Sequence, residues 1–273
     1  MRNLRISGRF GAYVSMGRMH KRALLSAHRA AARQSGHRDN SWESLVEAAT
    51  MAVDYVEFDV HRTVDGEFVL HHDSHIRDRI GRKHRIEECT YAALSALAPF
   101  RLVRYREALE LLAAHGKHAH IDYKFASPAG HIGIPHEVDA AEIALEVMDA
   151  SFILTTMVDE SVRVLRDWAD LRAPSTLVGL SLGGVDWRHH PLELIRLKLS
   201  EFFPEGRIRR CRSNLVVVEQ RLADVWLLRW AHRRNIKVLV WTVDHPGRLN
   251  RFVHDKRVWM VTSNHPARAL APA

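Results

Sequence analysis

Two segments of the chain alternate apolar residues with acidic or other polar ones. In Asp54-Tyr55-Val56-Glu57-Phe58-Asp59-Val60, the apolar Val56, Phe58 and Val60 alternate with Glu57 and Asp59. Alternate side chains of an extended strand share a face, so the two carboxylates point the same way. In His118-Ala119-His120-Ile121-Asp122-Tyr123-Lys124 the same parity sets Ile121 and Tyr123 against His120, Asp122 and Lys124. A third carboxylate joins the first two if these strands converge. Carboxylates about 5 Å apart repel by roughly 3 kcal/mol per pair even at an effective dielectric near 20, so such a cluster requires protons or a cation. A bound divalent metal is the simplest answer, and oxygen-only ligands select hard ions, Mg2+ or Ca2+. The competing reading is a salt-bridge network in which Glu57 and Asp59 pair with Lys124 and Arg29.

Two histidines stand at the ends of strand-like runs. His28 closes Leu24-Leu25-Ser26-Ala27-His28 and is followed by Arg29; His72 closes Glu67-Phe68-Val69-Leu70-His71-His72 and is followed by Asp73. Nineteen histidines put some at strand ends by chance, so these two are singled out by their charged neighbours. A base, an acid and fixed cations are what hydrolysis of a phosphodiester requires.

These residues need a scaffold that brings strand ends together. Strand-like runs fall near 24–28, 54–60, 118–124, 151–156, 176–181, 214–218, 237–242 and 258–263. Between them lie amphipathic helical patterns such as SWESLVEAATMA, YREALELLAAHG, EVDAAEIALEVMDA, ESVRVLRDWADL and ADVWLLRWAHRRN, several with an N-terminal Ser or Asp suited to capping. Eight alternating units in about 250 residues predict an α/β fold, a (β/α)8 TIM barrel. The run at 67–72 follows the second strand through Thr63-Val64-Asp65-Gly66, whose Asp-Gly pair suits a tight turn. A small hairpin arm after the second strand is therefore expected. No Gly-rich phosphate loop opens a helix, which argues against a doubly wound nucleotide-binding sheet.

Composition sets the outer limits. The 273 residues are 47% hydrophobic and 26% charged, which excludes disorder and collagen-like structure. No apolar run is long enough for a membrane span or a signal peptide, so a cytoplasmic protein is expected, with membrane association as the alternative. Cys89 and Cys211 are too few for a disulfide scaffold. The formal charge of +8 favours an anionic partner, and nine Lys or Arg precede the first acid, Asp39. Residues 1–21 are expected to be a frayed basic extension, or else a foothold on anionic lipid or nucleic acid. Residues 22–273 then form one catalytic domain.

The chain resembles the glycerophosphodiester phosphodiesterases. The matching stations are His28-Arg29, Asp39-Asn40-Ser41, Val56 to Val60, Thr63-x-Asp65-Gly66, Val69-x-x-His72-Asp73, Ile121 to Lys124, Val240 to Val243 and Ser263-Asn264-His265-Pro266, in family order. The run from Glu57 to Asp73 is the most specific. The resemblance implies a barrel enzyme that hydrolyses a glycerophosphodiester to glycerol 3-phosphate and an alcohol with one divalent metal, Mg2+ or Ca2+. It implies Glu57, Asp59 and Asp122 as metal ligands and Arg29 and Lys124 as phosphate-binding cations. His28 and His72 would be the acid-base pair, with His72 the donor to the leaving group, and Trp241 a wall beside the glycerol. The nucleophile is either the substrate's neighbouring hydroxyl or water.

The departures from the family pattern concern substrate shape. Ala30 stands for the usual glycine, Asp122 for glutamate, Arg38-Asp39-Asn40-Ser41 for Pro-Glu-Asn-Thr, and Thr156-Met157 for Ser-Phe. The loop from His28 to Asp39 is about two residues longer than usual, and the segment after Asp73 is short and basic. The expected partner is a small glycerophosphodiester or a lysolipid headgroup, the latter suiting a phospholipase D-like enzyme in peripheral contact with an anionic membrane. A nonenzymatic anion or nucleic-acid binder on the same fold is the alternative from another class, as is a barrel that has lost turnover. Nucleic acid is disfavoured because no helix-turn-helix, zinc finger or aromatic single-strand motif is present.

Overall fold

The computed structural model describes residues 22–183 and 200–269. The expected extension over 1–21 lies outside these residues. Eleven strands are described: β1 (Leu24–Ala27), β2 (Tyr55–Arg62), β3 (Phe68–Leu70), β4 (His75–Arg77), β5 (Lys83–Arg85), β6 (His118–Tyr123), β7 (Phe152–Thr156), β8 (Leu177–Leu182), β9 (Leu215–Glu219), β10 (Lys237–Trp241) and β11 (Met260–Ser263). Eight of them form the barrel. Strands run in the order β1, β11, β10, β9, β8, β7, β6, β2, and β1 pairs again with β2 to close the ring. Every pairing in the ring is parallel.

The predicted strand positions and the hairpin arm are borne out. β3 runs antiparallel to β2, with Val60 opposite Leu70 and Arg62 opposite Phe68. At the turn, Thr63 donates a 2.6 Å hydrogen bond to Asp65 Oδ1 and Gly66 takes φ of 89°, a conformation that favours glycine. A second hairpin, β4 with β5, follows His72-Asp73 and was not expected from sequence, because Lys83-His84-Arg85 lacks apolar alternation.

Parity along β2 decides which side chains face the lumen. Val56, Phe58 and Val60 are fully buried in the layer between strands and helices, where burying each contributes about 1.5–3 kcal/mol. Glu57 and Asp59 occupy the opposite face. Deeper in the lumen Ile153, Leu215, Val217, Leu239 and Met260 form a separate apolar plug. The plug confines the polar groups to the carboxyl ends of the strands.

The helices occupy the expected segments, but of the Ser and Asp residues near their starts only Ser41 caps its helix. Trp42–Thr50 is capped by Ser41, whose side chain accepts from Ser44 N–H. Asp159–Arg172 has Val158 at the cap, so Asp159 and Glu160 act within the first turn instead. The segment 220–233 is helical with a wider turn over Ala223–Leu227.

Gly179 of β8 faces the plug. A Cβ there would lie 2.6 Å from Val217 Cγ2 and 3.1 Å from Leu215 Cδ2. Gly179→Ala is expected to destabilise the barrel by about 1–3 kcal/mol through overpacking. Urea unfolding measures this, and an unchanged midpoint would show that the plug yields without strain.

Candidate active site

At the carboxyl ends of the strands a cavity of about 170 Å³ is lined by all eight residues singled out from sequence: His28, Arg29, Glu57, Asp59, His72, Asp122, Lys124 and Trp241. Oxygen atoms of Glu57, Asp59 and Asp122 lie within 4.8 Å of one another. β2 and β6 are neighbours in register, with Asp59 opposite Asp122, which is why acids far apart in sequence meet.

The cations are placed by the same strands and by an unusual turn. Lys124, just past β6, lies 3.0 Å from Asp59 and also bonds Asp122. Arg29, Ala30 and Ala31 have φ of 47°, 58° and 52°, a left-handed run that costs L-residues about 1–2 kcal/mol each. The turn aims the Arg29 backbone N–H at Glu57 Oε2, 2.6 Å away. It also brings the guanidinium to Asp39 at 2.8 Å and Asp59 at 3.4 Å.

The salt-bridge network read from sequence exists for Asp59, whereas Glu57 pairs with neither side chain and accepts the Arg29 backbone N–H instead. Among the described residues Arg29 and Lys124 are the fixed cations paired with Asp39, Asp59 and Asp122, and Glu57 has only the His28 imidazole, 3.9 Å away, so the cluster stays acidic. Burial, together with Asp59 and Asp122, raises the Glu57 carboxyl well above the usual range. Burial would raise Asp59 as well, yet Lys124, His72 and Arg29 outweigh it and hold Asp59 low. For Lys124, burial opposes the charge while Asp122 and Asp59 overcome it and push the ammonium upward. Three close carboxylate oxygens with this deficit of positive charge fit a hard divalent cation.

Side chains without a role in the sequence reading set the orientations. Asn264 donates from Nδ2 to Asp244, 2.7 Å away, which turns its Oδ1 toward His28 Nδ1 at 2.8 Å. His28 must then donate from Nδ1, leaving Nε2 as an acceptor 3.9 Å from Glu57. Burial, then the Arg29 charge, lowers its pKa. Asn40, at φ of 58°, donates to Asp59 Oδ2 at 2.9 Å and accepts from the Asp59 N–H at 3.2 Å. His72 Nδ1 donates to Asp73 at 2.8 Å. Trp241 is half-buried on the cavity wall, its indole N–H without a partner among the described residues, so it is a lining residue rather than a plug aromatic alone.

His120 is set beside Asp122 by strand parity, on the same face of β6, but the sequence assigns it no role; parity was the signal available. Thr155 donates to Asp122 Oδ1 at 2.7 Å, so the Thr155 oxygen accepts from His120 Nε2 at 3.2 Å while Ser26 donates to Nδ1 at 3.2 Å. The chain of bonds fixes Asp122 in place.

A parallel barrel whose strand ends collect acids, histidines and fixed cations has the architecture of a barrel enzyme. The chain belongs to the glycerophosphoryl diester phosphodiesterase family, whose model matches residues 28–268. Among solved structures it is similar to a phosphodiesterase from Oleispira antarctica in complex with the product sn-glycerol-3-phosphate, at 17% identity and TM-score 0.67, covering 91% of this chain and 96% of that one. It is also similar to a glycerophosphodiester phosphodiesterase from Parabacteroides distasonis, at 18% identity and TM-score 0.67, covering 91% and 95%. A third, from Thermotoga maritima, is 18% identical with TM-score 0.62, covering 91% and 96%. At these identities the likeness concerns the fold. No curated protein matches the chain.

Burial lowers the pKa of His120 to about 4, against about 6.5 in an unfolded chain. The unfolded state therefore binds the extra proton between these values. The contribution of this neutral imidazole to stability is complete above pH 6.5 and falls as pH drops toward 4, by up to about 1.4 kcal/mol per pH unit. Urea unfolding across this range is expected to show the loss, and His120→Gln to flatten the slope. An unaltered slope would assign it to other groups.

Proposed function

We propose that the protein is a metal-dependent phosphodiesterase that hydrolyses glycerophosphodiesters to glycerol 3-phosphate and an alcohol. The observation that carries this reading is the meeting of three carboxylates, two histidines and two fixed cations around one cavity. Family membership supports it, as does the glycerol 3-phosphate named with the Oleispira antarctica protein. Residues 22–273 form the catalytic domain, and the free thiols of Cys89 and Cys211 accord with a cytoplasmic location.

Glu57, Asp59 and Asp122 would hold one divalent cation, Mg2+ or Ca2+, which when bound offsets charge on the phosphate oxygens. Arg29 and Lys124 bind the diester phosphate, and both are fixed in place by carboxylates before substrate arrives, which limits reorganisation in the transition state. His28 offers an unprotonated Nε2 and takes the proton of the attacking hydroxyl, from the substrate's glycerol or from water. His72 then supplies a proton to the departing alkoxide. With Nδ1–H already given to Asp73, a proton on Nε2 makes a cation that this carboxylate stabilises. Trp241 packs against the glycerol carbons.

A second reading keeps the chemistry but changes the setting. Ile80 is 74% exposed at the tip of the β4–β5 hairpin, whose Arg77, Arg79, Arg82 and Lys83 are exposed beside it. An apolar tip among cations suits an anionic membrane surface, where the substrate would be a lysolipid. No helix among the described residues is long and apolar enough to cross a membrane.

Purified protein is expected to release glycerol 3-phosphate from glycerophosphodiesters with Mg2+ or Ca2+ and to stop in EDTA. His72→Ala is expected to lower kcat by about 10²-fold or more with circular dichroism unchanged. Asp59→Asn should raise the metal concentration for half-maximal rate by about tenfold. Full turnover in EDTA, or normal turnover of His72→Ala, would overturn this assignment. Release only from lysolipid dispersed with anionic vesicles would favour the second reading.

A further inference from the structure

Beside the main cavity lies a second one of about 250 Å³. The two share Arg29 and His72, and the rest of the second wall is Arg38, Asp39, His71 and Asp73. The acids in that wall are engaged. Asp39 pairs with Arg29 at 2.8 Å, and Asp73 with His72 at 2.8 Å.

Arg38 is placed differently. Its guanidinium lies over the Phe100 ring, 3.2 Å from the centroid, and donates to His71 Nε2 at 2.9 Å. Since Nε2 accepts, the His71 proton sits on Nδ1, which donates to the Asp73 carbonyl at 3.0 Å. His71 is therefore a neutral partner. Arg38 makes no ion pair among the described residues; Asp39 and Asp73 are the acids that influence it, and each is held by another partner, Asp39 by the Arg29 guanidinium and Asp73 by the His72 imidazole. A guanidinium has five N–H donors, and His71 uses one.

We propose that Arg38 forms a subsite for a second negative charge on the substrate, a carboxylate or a phosphate carried by the leaving alcohol. This rests on the glycerophosphodiester reading above. With the diester phosphate at Arg29 and Lys124 and the alcohol oxygen at His72, the shared wall directs the rest of the alcohol toward the second cavity. The planar fork of Arg38 matches a carboxylate or phosphate in two-point fashion. Stacking on Phe100 and the bond to His71 hold the fork before the ligand arrives, so little side-chain freedom remains to be lost. An alcohol bearing only an ammonium would meet this charge unfavourably, which adds discrimination by repulsion.

The test uses matched substrates that differ by the second charge alone. Glycerophosphoserine against glycerophosphoethanolamine isolates a carboxylate. Glycerophosphoglycerol with and without a terminal phosphate isolates a phosphate. In at least one pair, kcat/KM of the anionic member is expected to exceed that of its partner by about tenfold, and Arg38→Gln to bring the ratio to within about twofold of unity, with Arg38→Lys between them. The pair that responds identifies the group. Absence of preference in both pairs overturns the subsite, as does an Arg38→Gln enzyme that slows both members alike, since that marks a role in holding His72 through His71. If no diester releases glycerol 3-phosphate, the reading of the reaction fails, and calorimetry decides the subsite separately. Phosphoserine is then compared with phosphoethanolamine, and glycerol 1,3-bisphosphate with glycerol 3-phosphate. An affinity difference lost in Arg38→Gln upholds it, and equal affinities overturn it.

Discussion

Three carboxylates held within 4.8 Å of one another in a buried cavity repel strongly, and much of the surrounding architecture answers that repulsion. Each acid has a partner of its own, and Lys124 serves two of them. Glu57 accepts the Arg29 backbone N–H, Asp59 takes Asn40 and Lys124, and Asp122 takes Thr155 and Lys124. Removing a support leaves a buried acid with less compensation, and that costs more than the lost hydrogen bond itself. The left-handed turn at Arg29 to Ala31 persists for this reason: it brings both a backbone donor and a guanidinium to the acids.

Amides decide what the titratable groups can do. A carboxylate can only accept, so Asp244 sets Asn264, Asn264 sets the proton on His28, and His28 is left with a free nitrogen facing the acids. At His71 an arginine imposes the opposite tautomer to that of His120, where Thr155 leaves the proton on Nε2. Three histidines with the same intrinsic chemistry thus acquire distinct hydrogen-bonding roles from their neighbours. The chemistry lies in the pairs rather than in the residue types.

The barrel is legible in the sequence because parallel strands covered on both faces read as apolar runs, and Glu57 and Asp59 interrupt one such run at a spacing that only a strand explains. Trp241 and Lys124 are legible for a similar reason, each standing at the end of a run. The turn at Arg29-Ala30-Ala31 is not, since nothing in those residue types favours positive φ. Asn264 is equally hidden: its effect on His28 depends on ring closure between β1 and β11. The β4–β5 hairpin is masked by charge, its buried contacts resting on Ile76 and Ile86 rather than on any repeating pattern.

The hydrogen bond between His28 and Asn264 joins positions 236 residues apart. Synthesis delivers the histidine 236 residues before the asparagine, so a nascent chain carries an unoriented His28 until β11 has emerged. The same event that seals the sheet edge of β1 also fixes the imidazole. Competence for chemistry and protection against edge-to-edge association therefore arrive together, and a chain halted before β11 has neither.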